Sequence, residues 1–149
     1  MSMNRIASVI LMLIACMGAG CAEWANVIDS LGDEPVENTY WKLTQLNGAA
    51  IVAAERQREP HFFLHAGSGR VSGSGGCNRI TGTYELKGDR LSFGPLAGTM
   101  MSCHEGMEAE RNFLGALQKG GRARVESQHL DLLDGTGGII ARFDAVYNK

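Results

Sequence analysis

The chain has 149 residues, 44% hydrophobic and 20% charged, with a formal net charge of -2 and a sequence pI near 6.1. At roughly 100 to 200 residues per domain this leaves room for one globular unit with enough apolar surface to bury a core. No block of like charges occurs, which argues against the basic footprint of a nucleic-acid-binding protein, so no nucleic-acid partner is expected.

Met1 to Arg5 is a short segment with Arg5 as its early cation, Ile6 to Met17 is an almost unbroken apolar run, and Gly18-Ala19-Gly20-Cys21 closes it with small residues and a cysteine. That order reads as an export signal peptide over residues 1–20. About a dozen apolar residues fall short of the roughly 20 that span a bilayer, so removal is expected rather than retention as a membrane helix. No second apolar stretch of this kind follows. A cysteine after small residues resembles the bacterial lipobox, and two cysteines compete for it. Leu13-Ile14-Ala15-Cys16 matches by residue type, whereas Gly18-Ala19-Gly20-Cys21 gives the more usual signal length. Cys21 is preferred as the lipid attachment site, with Cys16 the alternative and an unlipidated chain cut after Ala22 the third reading. The resemblance implies a membrane partner through the lipid, in the cell envelope, at the outer membrane facing the periplasm.

Residues 21–38 are polar and acidic around Gly32 and Pro35 and read as the lipidated N-terminus and a flexible tether. The domain is expected over 39–149. Its first strand, Tyr40 to Leu46, alternates with Trp41, Leu43 and Gln45 on one face and ends at Asn47-Gly48, a turn signal. His61 to His65 and Arg70 to Ser72 flank Ala66-Gly67-Ser68-Gly69 as a hairpin. Thr81 to Leu86 and Arg90 to Phe93 flank Lys87-Gly88-Asp89 as another, with Tyr84, Leu86, Leu91 and Phe93 at the period of half-buried strands. Arg122 to Val125, Gln128 to Leu133 and Ile139 to Val146 repeat the pattern.

One segment breaks this rhythm. Met107, Glu110, Phe113, Leu114 and Leu117 fall three or four apart, Ser102 and Glu105 have capping-box spacing, and Gly120-Gly121 is a stop, which predicts a helix of roughly four turns over about Glu105 to Lys119. Strands, one helix and more strands on short connections define an α+β, mostly β fold: a compact antiparallel sheet or open barrel with one packed helix. Phe113, Leu114 and Leu117 should form the stripe that covers the sheet. Glu108 and Glu110 read as part of a solvated face, where truncation should cost no more than about 0.5 kcal/mol.

The chemistry-bearing residues are few. Cys77 and Cys103 are an even pair in an exported domain and read as a disulfide, with loop-closure entropy worth about 3.5 kcal/mol for this spacing. His104 beside Cys103 supplies neither a base geometry nor a closely paired metal ligand. His61 and His65 have helical metal spacing, but on a strand they stand about 13 Å apart and face solvent, as does His129. Ser68, Ser72 and Ser74 lie in a glycine-rich run, Gly67 to Gly76, that matches neither a nucleophile elbow nor a phosphate loop. Hairpin and bulge geometry accounts for the run. No catalytic, cofactor or metal site is assigned.

In order, Gly76-Cys77-Asn78-Arg79, Gly82-Thr83-Tyr84, Leu91-Ser92-Phe93-Gly94-Pro95-Leu96-Ala97, Thr99-Met100-Met101-Ser102-Cys103 and the Met107 to Leu117 pattern resemble the META domain, also called the HslJ-like domain. Trp41-Lys42-Leu43 before Asn47-Gly48 fits the family's start, and the resemblance covers about Thr39 to Val146. Met101-Ser102-Cys103 stands where the family often has Met-Ala-Cys. The resemblance implies a compact antiparallel β structure with one helix, and Cys77, Asn78 and Cys103 as structural positions. Its loose links with heat shock, envelope stress and secretion lead to the expectation of a non-enzymatic, stress-related or accessory lipoprotein that binds a protein or a small apolar ligand. The alternative is a pilot or assembly factor that docks a secretion or outer-membrane partner; a hydrolase or metal enzyme ranks third.

Overall fold

The structure, a computed structural model, describes residues 32–53 and 55–147. The expected signal peptide, both candidate lipidation cysteines and the first part of the expected tether lie outside the described residues.

Alternation of apolar and polar side chains produces strands, and there are ten among the described residues: β1 (Tyr40–Leu46), β2 (Ala49–Ala50), β3 (His61–His65), β4 (Arg70–Ser74), β5 (Arg79–Lys87), β6 (Arg90–Phe93), β7 (Ala97–Gly98), β8 (Arg122–Glu126), β9 (His129–Leu133) and β10 (Ile139–Val146). The described helix, α1 (Met107–Lys119), lies between β7 and β8. The strands form one antiparallel sheet in the order β6-β5-β4-β3-β1-β10-β9-β8, with β2 on β1 and β7 on β5. The sheet curls until its two ends nearly meet. There, Ala123 N–H donates to the Asp89 carbonyl at 2.8 Å and the Arg122 guanidinium contacts the Asp89 carboxylate at 2.8 Å. The expected α+β, mostly β class and both hairpins are present.

The core is the inside of this barrel. Trp41, Phe62, Leu64, Leu91, Leu130, Leu132 and Phe143 lose essentially all contact with water, and the Trp41 indole N–H is satisfied by the Val36 carbonyl at 2.9 Å. Phe143 is central: Phe62 meets it edge-on at 4.9 Å between centroids, and Phe113 reaches it from the helix at 6.1 Å. Phe113, Ala116 and Leu117 are buried and Leu114 is half-buried, so the helix lays its apolar stripe into the barrel as its spacing predicts.

Several details differ from the sequence expectations. In β1, Leu46 rather than Gln45 joins Trp41 and Leu43 inside, because a bulge shifts the register on β10 between Leu43 and Gln45 and reverses the alternation. The helix starts at Met107, not Glu105, and no side chain caps it. Its N-cap is Gly106 at φ 83, and a side chain there would run into the Gln57 amide, so left-handed backbone and close approach replace the Ser102/Glu105 capping box. Residues 33–38, expected as part of the flexible tether, make contacts with the domain instead. Ser127 N–H donates to the Asp33 carboxylate at 2.8 Å, Glu34 N–H donates to the Ser127 carbonyl at 2.9 Å, and Asn38 N–H donates to the Leu64 carbonyl at 2.8 Å. Backbone and side-chain bonds therefore dock the chain from Asp33 onward.

The barrel has two distinct ends. Tyr40 pairs with Val146 and Phe63, and Glu126 pairs with His129, so the chain enters at the end that carries the β3–β4 and β8–β9 turns. Lys42 pairs with His61 and His61 with Ser74, which puts the β4–β5 connection and the segment before β3 at the opposite end.

Candidate functional site

At that opposite end the Cys77–Cys103 disulfide joins the β4–β5 connection to the segment before α1, with its Cα atoms 6.0 Å apart. Between these segments lies Asn78, which is buried and uses every polar atom. Its side-chain oxygen accepts from the Thr99 hydroxyl and the Met101 N–H, both at 2.8 Å, and its Nδ2 donates to Glu110 Oε1 at 2.7 Å. Its backbone N–H donates to Glu110 Oε2 at 2.7 Å, and its carbonyl accepts from Gly75 N–H at 2.8 Å and the Ser74 hydroxyl at 3.2 Å. Asn78 therefore ties the helix, the β4–β5 connection and the 99–101 segment into one body.

Glu110 is 5% exposed, which overturns its assignment to a solvated face; Glu108 does face solvent. Position 110 is in phase with Phe113 and Leu117, and burial of a carboxyl group there is repaid by the two donors of Asn78. The room comes from Gly75, where an added Cβ would stand 2.7 Å from Glu110 Cδ.

On this body sits an open cleft of about 460 Å³ lined by Arg56, Gln57, Arg58, Gly76, Cys77, Arg79, Thr99, Met101 and Cys103. Its three arginines, Arg56, Arg58 and Arg79, make no ion pair among the described residues, as is also true of Arg70, Arg90 and Arg111; Arg122 pairs with Asp89, and Arg124 and Arg142 both pair with Asp131. Glu59, next to Arg58, is taken up by Lys42 at 2.8 Å and by the Tyr40 hydroxyl at 3.4 Å. Burial first and the Glu59 carboxylate second push the Tyr40 phenol up to about 12. Met101, which lines the cleft with the arginines, is 59% exposed, and its chain neighbour Met100 is fully exposed.

The other residues singled out in the sequence are dispersed. His61 is half-buried, not solvent-facing, because it stacks on Tyr40 at 4.2 Å, and burial lowers its pKa. His65 is exposed, and its Nε2 lies 2.8 Å from the Ser72 hydroxyl, with no third group to orient the ring among the described residues. His129 faces out and contacts Asp144 at 2.7 Å. His104 is exposed, and Ser74 is buried in the turn beside Asn78. Of the glycine run, Gly67, Gly69 and Gly76 take positive φ, as the turn reading requires. Among the described residues no group of three or more His, Cys, Asp or Glu side chains is placed to hold a metal ion. Arg56, Arg58, Arg79 and the Met100-Met101 pair were not singled out as binding residues from sequence. The available signal was two arginines flanking Gln57 and two adjacent methionines outside any apolar period.

Pairing of the cysteines has a measurable consequence. Peptide mapping without reductant is expected to recover Cys77 joined to Cys103, and reduction is expected to lower the denaturation free energy by about 3 kcal/mol. Recovery of both as free thiols from exported protein would refute the pairing.

A family model described as the META domain matches residues 34–147. The chain is also similar to a protein from Burkholderia xenovorans solved by NMR, with 31% identity and a TM-score of 0.61 over 76% of this chain and 85% of that one. A second protein solved by NMR is 21% identical, with a TM-score of 0.57 over 72% of this chain and 89% of that one, a likeness of fold. No curated protein matches.

Proposed function

The chain belongs to the META domain family, and on that premise we propose that it is a non-enzymatic lipoprotein of the bacterial envelope, a stress-related or accessory protein that takes a partner at the disulfide-braced end of its barrel. Cys21 is the lipid attachment site in this reading, with Cys16 the alternative, and the outer membrane facing the periplasm is the location. The observation that supports it is the cleft itself: unpaired arginines and exposed methionines on a scaffold held by a disulfide and a saturated hydrogen-bond hub. Rigid elements that present exposed cations and large apolar side chains are the ordinary construction of a recognition surface. The pilot or assembly-factor alternative by strand addition has less support, because β6 and β8 already meet through Asp89.

Photo-crosslinking in intact cells tests this reading. A photoreactive residue at position 100 is expected to give discrete adducts in the membrane fraction, while the same residue in place of Arg124, on the outer sheet face, gives none. Cys21→Ala combined with Cys16→Ala should release the chain from membranes and remove the adducts. Absence of adducts at position 100, or equal labelling from position 124, would sink the proposal.

A further inference from the structure

The three cleft arginines identify the chemistry of the partner. We propose that the cleft is a docking site for an acidic segment of a partner protein, with its carboxylates received by Arg56, Arg58 and Arg79 and a flanking apolar side chain resting on Met100 and Met101. This deepens the preceding reading and rests on it.

Charge complementarity is the first support. Guanidinium groups bind carboxylates through paired N–H donors, and in a chain of net charge -2 three arginines at one cleft stand without carboxylate partners among the described residues. Arg70 and Arg90 also make no ion pair among the described residues, but they line separate clefts, whereas Asp131 engages both Arg124 and Arg142. Of the two glutamates adjacent in sequence, Glu59, next to Arg58, is held by Lys42, and Glu55, next to Arg56, is in no ion pair among the described residues.

Size is the second support. About 460 Å³ exceeds what a single phosphate or acetate fills. A peptide backbone can run along such a cleft while alternate side chains face it. Methionine at the lip suits this use, since its unbranched, polarizable side chain adapts to varied apolar partners.

Fluorescence anisotropy with the full chain in nonionic detergent tests the idea. The probes are a labelled twelve-residue peptide of alternating Glu and Leu, its counterpart with Gln for every Glu, and phosphatidylglycerol vesicles. The Glu peptide should bind at least about tenfold more tightly than the Gln peptide and weaken steeply with salt. The combined Arg56→Gln, Arg58→Gln and Arg79→Gln variant should weaken Glu-peptide binding by at least about tenfold, whereas Arg90→Gln should leave it unchanged. Near-ultraviolet circular dichroism verifies that each variant is folded. Equal binding of the two peptides, full affinity in the triple variant, or association with vesicles alone overturns the proposal. Crosslinks at position 100 that persist in the triple variant would leave the partner-binding reading standing while removing the acidic one.

Discussion

Phe113→Ala is expected to lower the denaturation free energy by about 3 to 5 kcal/mol, and Leu117→Ala by about 2 to 5 kcal/mol. Both side chains are completely buried, and Phe113 lies against Phe143, which in turn meets Phe62. Truncation therefore removes apolar contact from the centre of the barrel and leaves a cavity that the surrounding strands, fixed by their ladders, cannot readily fill. Glu108→Ala on the exposed side of the same helix should change stability by no more than about 0.5 kcal/mol. Chemical denaturation of the three variants measures all of this. Unchanged melting of Phe113→Ala together with lost crosslinking at position 100 would mean that the helix presents its apolar stripe to a partner and that the core lies elsewhere.

The fold was legible because its strands and helix are built on simple periods. Period-two alternation located the long strands, and the spacing of Phe113, Leu114 and Leu117 located the helix, since one face of each element is buried. What failed were positions decided by tertiary contact. The β1 bulge exchanges Gln45 for Leu46 inside through pairing with β10, and its local trace is the break in alternation at Thr44-Gln45-Leu46. Ser102 and Glu105 have a cap's spacing, yet the turn before the helix is set by Gly106 against Gln57, a residue 49 positions away in the chain. Short strands such as Ala49–Ala50 and Ala97–Gly98 have too few residues to show any period. The site was legible as its cysteines and, through the family resemblance, Asn78. Its arginines come from the segment before β3 and from the start of β5, and the β3-β4-β5 pairing, with His61 opposite Ser74 and Ser74 opposite Arg79, brings them to one cleft.

Glu110 is the sharpest departure from the sequence expectation, and Glu110→Ala is expected to cost about 2 to 4 kcal/mol rather than the negligible amount a solvated glutamate would. The loss leaves the buried Asn78 N–H without its acceptor and Asn78 Nδ2 with only the longer contact, at 3.3 Å, to the Met101 carbonyl; an unsatisfied buried donor costs about 1 to 3 kcal/mol. The partner position makes the argument stricter. Gly75→Ala puts a methyl group 2.6 Å from Glu110 Oε2 and 2.7 Å from its Cδ, so in the wild-type background the carboxyl group must abandon Asn78 or the turn must move, at about 1 to 3 kcal/mol. With Glu110 already truncated, the carboxyl atoms that this methyl group would strike are gone. The double variant should therefore be more stable than the sum of the single costs implies, by about 1 to 3 kcal/mol, because two changes that act through one carboxyl group cannot both remove it. Denaturation of both singles and the double closes the cycle. Strictly additive costs would mean that Gly75 is required for a reason other than Glu110, and that the carboxyl group is not what holds the β4–β5 connection to the helix.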